Sequence, residues 1–163
     1  MNDSKEEVTK TIAFLDIDSF EEESAFRGGI LVTDMNTYPL EFRVTTPIRP
    51  TPLQATLYGR ALKEYIYVEL VAMSLLQAIR SKPEFVLVVS KRFLNARPKV
   101  HLPIFQIVKS DERFDLVTHP KYQEELRAAQ PLLTQLNRSL LLEAFSRVRA
   151  ALQEAHRQRV GDK

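Results

Sequence analysis

The chain has no cysteine. That excludes a disulfide scaffold, a thiolate zinc site, an iron–sulfur cluster and a cysteine nucleophile. It points to a reducing, cytoplasmic setting, although a cysteine-free chain is also tolerated outside the cell. Glycine is scarce, with Gly28, Gly29, Gly59 and Gly161 the only four. They form neither a dinucleotide fingerprint nor a phosphate-cradling loop, so the usual NAD, FAD and ATP chemistries are not expected. There is no Gly-x-Ser-x-Gly elbow, and His101, His119 and His156 stand far apart, at no metal-ligand spacing. No stretch reaches the ~18–20 apolar residues of a membrane span, so no membrane partner is expected. The densest run, Tyr65 to Ile79, contains Glu69, Ser74 and Gln77 and reads as a buried core helix. Met1 to Lys10 is polar and acidic, lacks the apolar centre of a signal peptide, and reads as a flexible tail.

What remains is enough for a hydrophobic core. The 163 residues suit one α/β domain, expected over residues 11–159. Net charge is only +2, but it is unevenly placed: residues 1–25 carry −6 and the rest of the chain +8. Basic residues concentrate between Lys82 and Lys109 and in the C-terminal helix. Such asymmetry marks either a nucleic-acid face or two ends that fold against each other.

Thr11 to Phe20 alternates, with Ile12, Phe14, Asp16, Asp18 and Phe20 on one face and Ala13, Leu15 and Ile17 on the other. Apolar residues on both faces predict a strand interior to a sheet. A charged turn, Glu21 to Ser24, leads to a second strand, Ala25 to Thr33, in which Gly28-Gly29 is a bulge or a point of close approach. Asp34 to Thr37 supplies turn residues, and Leu40 to Thr46 is the return strand of a hairpin. Pro47, Pro50 and Pro52 end the sheet. Thr51 is a suitable N-cap, with Pro52 at the first position of a helix running to about Arg80. Short strands are expected at Phe85 to Val89, Val100 to Val108 and Phe114 to Thr118, with a helical turn at Lys91 to Ala96. Pro120 starts a short helix, and residues 131–159 form a long C-terminal amphipathic helix of roughly 40 Å. Its stripe of Leu141, Phe145, Val148, Leu152 and Ala155 covers the domain's own sheet, or pairs with another protein or a second copy.

Chemistry is concentrated in three acids. Asp16 and Asp18 lie two apart on one strand face, and Glu69 lies within the most apolar helix, where a carboxylate must be paired, hydrogen-bonded or protonated. Hard oxygen ligands of this kind suit magnesium or manganese, and metals so held drive phosphoryl hydrolysis. The plain alternative is that the aspartates solubilise the end of a strand and that Glu69 pairs with Arg43, Arg49 or Arg60. A second feature is the basic segment Ser90 to His101. Its Lys91, Arg92, Arg97 and Lys99, with Phe93, make a candidate nucleic-acid-binding surface, or else an ordinary solvated one.

FLDID (Phe14 to Asp18), GGILVTD (Gly28 to Asp34), LEFRVTT (Leu40 to Thr46), the helix around VEL (Val68 to Leu70) and FVLVVS (Phe85 to Ser90) follow one another in an order that resembles the ribonuclease H-like superfamily. The likeness covers residues 11–90. It implies an acid on the first strand, met by Asp16 or Asp18, a second in the first helix, met by Glu69, and a third at the end of the fourth strand. Ser90 stands in that third place, with Asp111 and Asp115 as substitutes elsewhere. A non-enzymatic interaction or adaptor protein with a degenerate ribonuclease H-like core is therefore the first expectation, with no cofactor. A magnesium- or manganese-dependent nuclease using Asp16, Asp18 and Glu69 is the second.

Overall fold

The computed structural model describes residues 10–110 and 113–162. The expected acidic tail, apart from Lys10, and Asp111 lie outside the described residues. Six strands form one sheet: β1 (Thr11–Phe20), β2 (Ala25–Asp34), β3 (Pro39–Val44), β4 (Val86–Val88), β5 (Ile104–Ser110) and β6 (Arg113–Val117). Their spatial order is β3-β2-β1-β4-β5-β6. The first three are antiparallel, β1, β4 and β5 run parallel, and β6 returns antiparallel. The mixed α/β architecture, the leading hairpin and the interior position of β1 all follow the sequence pattern.

The chain leaves β3 through prolines and enters α1 (Pro52–Tyr58). Thr51 caps it as expected: its hydroxyl accepts from the Gln54 N–H, and the Gln54 side chain accepts in return from the Thr51 N–H. The expected single helix to Arg80 is not one regular helix. Gly59, at φ 52°, breaks it. A 3₁₀ turn (Gly59–Ala61) and the short α2 (Leu62–Glu64) follow. A π-helical stretch, Tyr65–Met73, then leads into α3 (Ser74–Ala78). The wider π turn sets side chains at angles that an α-helical wheel does not give. Lys91–Lys99 is a 3₁₀ segment after β4.

The predicted helix over 131–159 is also divided. Pro131 lies inside α4 (Glu124–Leu133), and α5 (Arg138–Arg157) starts afresh behind the N-cap Asn137. Asn137 offers its side-chain oxygen to the Ser139 N–H, which a helix interior could not use, and so resets the chain.

Helices cover both sheet faces. Ile66, Val68, Val71, Ala72 and Leu75 of the π/α3 stretch pack on Ala13, Leu15, Ile17, Ile30 and Val32. Leu141, Ala144, Phe145, Val148 and Leu152 of α5 pack on Ile12, Phe14, Leu31, Phe85, Leu87 and Phe105. The α5 stripe is thus buried within this chain, which removes it as the exposed face through which a homodimer or another protein was expected to bind. Gly28 and Gly29 let both layers approach β2. A Cβ on Gly28 would overlap the Val71 side chain, and one on Gly29 would lie 2.9 Å from Leu152 Cδ2. Gly28-Gly29 is thus the point of close approach; the register irregularity of β2 lies further on, between Val32 and Thr33.

Candidate functional site

The parallel pairing of β1 with β4 points the carboxyl ends of both strands the same way. In open α/β sheets the crevice beyond such ends is where ligands bind. Asp16 and Asp18 lie at this end of β1, on the face that α5 covers.

Asp16 is almost fully buried, with 1% of its surface exposed. Its Oδ1 accepts from the Ile17 N–H at 2.8 Å, and its Oδ2 accepts from Arg149 Nε at 2.8 Å. Arg149 Nη2 lies 3.5 Å from Asp16 Oδ1. Arg149 Nη1 also stands 3.7 Å from Asp18 Oδ1, which accepts from the Ser19 N–H at 2.9 Å. One guanidinium therefore bridges the two carboxylates. The hydrogen bond to Asp16 holds the Arg149 pKa above its ordinary value despite partial burial, so the group stays cationic.

Arg149 also separates two clefts. One, of about 450 Å³, is lined by Asp18, Ser19, Glu23, Lys63, Tyr67 and Arg149, among others. The other, of about 490 Å³, is lined by Asp16, Val89, Ser146, Arg149 and Gln153, among others. The Arg149 side chain remains 48% exposed. It is thus charged, anchored at its Nε edge, and open to solvent.

Glu69 is not part of this group. It pairs with Lys99 and lines a separate cleft with Tyr58, Tyr65 and Asn95. Tyr67 lines the Asp18 cleft, whereas Glu69, two residues further along the same helix, lines the other one. None of Arg43, Arg49 or Arg60 is its partner: Arg43 pairs with Glu41, and Arg49 with Glu21 and Asp162. Asp115 sits exposed on β6, opposite Val108 and three strands from β1.

The four basic candidates divide in two. Arg97 is a packing residue: it donates to both oxygens of Glu125 at 2.8 Å, and its guanidinium lies 4.0 Å from the Tyr122 ring centroid. Lys99 is taken up by Glu69. Lys91 and Arg92 are exposed, line a cleft of about 520 Å³ with Asn95, Thr118 and His119, and bring Arg92 to 6.0 Å from the Tyr67 ring. Arg92 thus reaches the aromatic ring that also lines the Asp18 cleft.

The donors expected for magnesium or manganese are right in kind, but the residues do not fit a three-carboxylate centre. Glu69 lies in another cleft, and no group of three acids or histidines able to hold a metal occurs among the described residues. A guanidinium also stands against the Asp16–Asp18 pair. Sequence reasoning missed Arg149 because it lies outside the apolar stripe. The available signal was its spacing, four residues after Phe145 and three before Leu152, which puts it at the edge of the buried face. Among the described residues, no helix is long and apolar enough to cross a membrane.

No family model matches the chain, and no curated protein matches it. Among solved structures it is similar to endonuclease V from Bacillus subtilis, at 13% identity and a TM-score of 0.45, covering 62% of this chain and 45% of that one. It is also similar to Ciona intestinalis endonuclease V bound to a 23mer DNA containing an inosine followed by a ribo-adenosine. There the identity is 12% and the TM-score 0.44, covering 78% and 56% of the two chains. For human ENDOV the identity is 14% and the TM-score 0.36, covering 76% and 56%. This chain spans about half the length of these structures. The likeness concerns the arrangement of elements; it does not transfer residues or a substrate. These neighbours are endonucleases, which runs against the expectation of a non-enzymatic interaction or adaptor protein; what this chain does is judged on its own side chains.

Proposed function

We propose that this chain is a nuclease-class protein that acts on nucleic acid at the carboxyl ends of β1 and β4. The observation that carries the reading is the Asp16–Asp18–Arg149 group, standing between two open clefts at the end of the central strand. A guanidinium with an exposed edge matches a phosphate in charge and in hydrogen-bond geometry. Carboxylates beside a phosphodiester can orient or deprotonate an attacking hydroxyl or water. Lys63 and Tyr67 in the same cleft, with Arg92 against Tyr67, add charge and a stacking surface suited to a nucleic-acid strand. No metal-dependent step is assigned, because the third carboxylate is not at the site.

The test is strand cleavage. Labelled single- and double-stranded DNA and RNA, with an inosine-containing DNA among them, are incubated with the protein in magnesium, in manganese and in EDTA. Cleavage is expected in at least one arm and should fall by about 100-fold or more in Asp18→Asn. No cleavage in any arm, or full cleavage by Asp18→Asn, overturns the reading. The EDTA arm also decides whether the chain needs a divalent ion at all.

A further inference from the structure

The site holds two acids with an arginine, where the second of the two sequence expectations had Asp16, Asp18 and Glu69 sharing a metal. From this we infer that Arg149 is the phosphate-binding group of the cleft, that Asp16 is a positioning residue that aims it, and that Asp18 helps to aim it in addition to its part beside the attacking group. The inference rests on the nucleic-acid reading above and assigns roles within the same site.

The geometry supports it in three ways. Arg149 is held chiefly by Asp16, with Nε at 2.8 Å and Nη2 at 3.5 Å, while Nη1 stands 3.7 Å from Asp18, so the five N–H donors of the guanidinium are not all used. Its side chain is nevertheless 48% exposed and faces both clefts, so donors remain for a ligand. Asp16 is itself fixed, being buried within the sheet with Oδ1 on the Ile17 N–H. A flexible surface arginine loses rotamer freedom when it grips a phosphate, and this one has already been ordered by its carboxylates. A guanidinium suits the task better than an ammonium because its planar fork can serve a carboxylate along one edge and a phosphate along another.

The two possible roles of the aspartates predict opposite signs, which makes the idea testable. If Asp16 and Asp18 only add negative charge near the strand, removing a charge tightens nucleic-acid binding. If they aim Arg149, removing one weakens binding. Fluorescence anisotropy with a labelled single-stranded oligonucleotide, over a series of KCl concentrations and without divalent ions, reads both affinity and salt dependence. Arg149→Gln should bind about tenfold or more weakly, with the slope of log K against log salt reduced by about 1. Arg149→Lys should keep most of the slope but recover only part of the affinity, because it keeps the charge without the fork. Asp18→Asn should bind several-fold more weakly. Asp18 is chosen because it is partly exposed, and a melting curve checks that each variant is folded.

If Arg149→Gln binds like the unaltered protein, or if Asp18→Asn binds more tightly, the inference is overturned while the nuclease reading stands. If the unaltered protein binds no oligonucleotide even at low salt, both fall together.

Discussion

Two arginines join the sheet to the α5 region, and they are held in opposite ways. Arg27 projects from β2 and is wholly buried. Its acceptors are formally neutral: Nε donates to His156 Nδ1 at 2.9 Å, and Nη1 to the carbonyls of Thr45 at 3.2 Å and Val160 at 2.7 Å. Burial lowers its pKa, against an opposing pull from Asp162. Arg149 projects from α5 back to β1, is half exposed, and is held by carboxylates that raise its pKa. Arg27 is built to fasten, tying the chain beyond α5 to the β2–β3 region, with His156 stacked on Phe20 beside it. Arg149 is built to present a charge. Burial with neutral acceptors marks a structural cation, whereas a carboxylate anchor with an open edge marks one available to a ligand.

The comparison is broken most directly at Arg27. Arg27→Ala is expected to cost about 3–5 kcal/mol of stability, because buried acceptors lose their donor and a large side chain leaves a void. Urea denaturation measures this. A cost below about 1 kcal/mol would mean that Arg27 is not the staple described.

Glu41 is an anionic counterpart of the same fastening kind, and its effect should be smaller. It accepts from the Arg80 and Ser81 N–H groups, the Ser81 hydroxyl and Arg43. Burial alone would raise its pKa, but these hydrogen bonds outweigh it and bring the value to about 2. A carboxylate whose folded pKa is depressed contributes stability above its unfolded value, and the contribution is lost as pH falls through the folded one. The Glu41 share should therefore be complete above about pH 4.5 and disappear toward about pH 2. Glu41→Gln should cost about 1–3 kcal/mol at neutral pH. It should also flatten that acid limb, as followed by urea midpoints across a pH series.

Arg149→Gln should cost less, about 1–2 kcal/mol. Asp16 loses its charge partner, but the glutamine amide can still donate and the clefts admit water. The same substitution should have the large effect on oligonucleotide binding described above. A stability loss as great as that of Arg27→Ala, without a change in binding, would erase the distinction between the two arginines. At the weak end, Arg157→Gln should leave the urea midpoint unchanged, because Arg157 and its partner Glu154 are both largely exposed.

Much of the frame was legible in the sequence because it rests on short-range signals. Alternation over Thr11 to Phe20 gave β1 and both of its faces. Thr51-Pro52 gave the start of α1. Gly28-Gly29 gave a close approach, since little besides glycine tolerates Val71 on one side and Leu152 on the other. The helix after Pro52 was misread in its interior, because hydrophobic periodicity assumes 3.6 residues per turn and Tyr65–Met73 winds as a π-helix. Glu69 was grouped with Asp16 and Asp18 by the order of elements that resembles the ribonuclease H-like superfamily, and is found beside Lys99 instead. The break between α4 and α5 was expected at Pro131, yet that proline lies in the last turn of α4 and Asn137 makes the true restart.

The sequence by itself determined the strand with Asp16 and Asp18 on one face and apolar residues on both, the hairpin that follows it, and the amphipathic stripe that lays α5 across the sheet. These depend on neighbours within a few residues. Only the tertiary structure decided what meets those acids. Asp16 and Arg149 are 133 residues apart in the chain and 2.8 Å apart in space. Their meeting depends on how α5 crosses the sheet, which leaves no periodic trace in the two residues concerned.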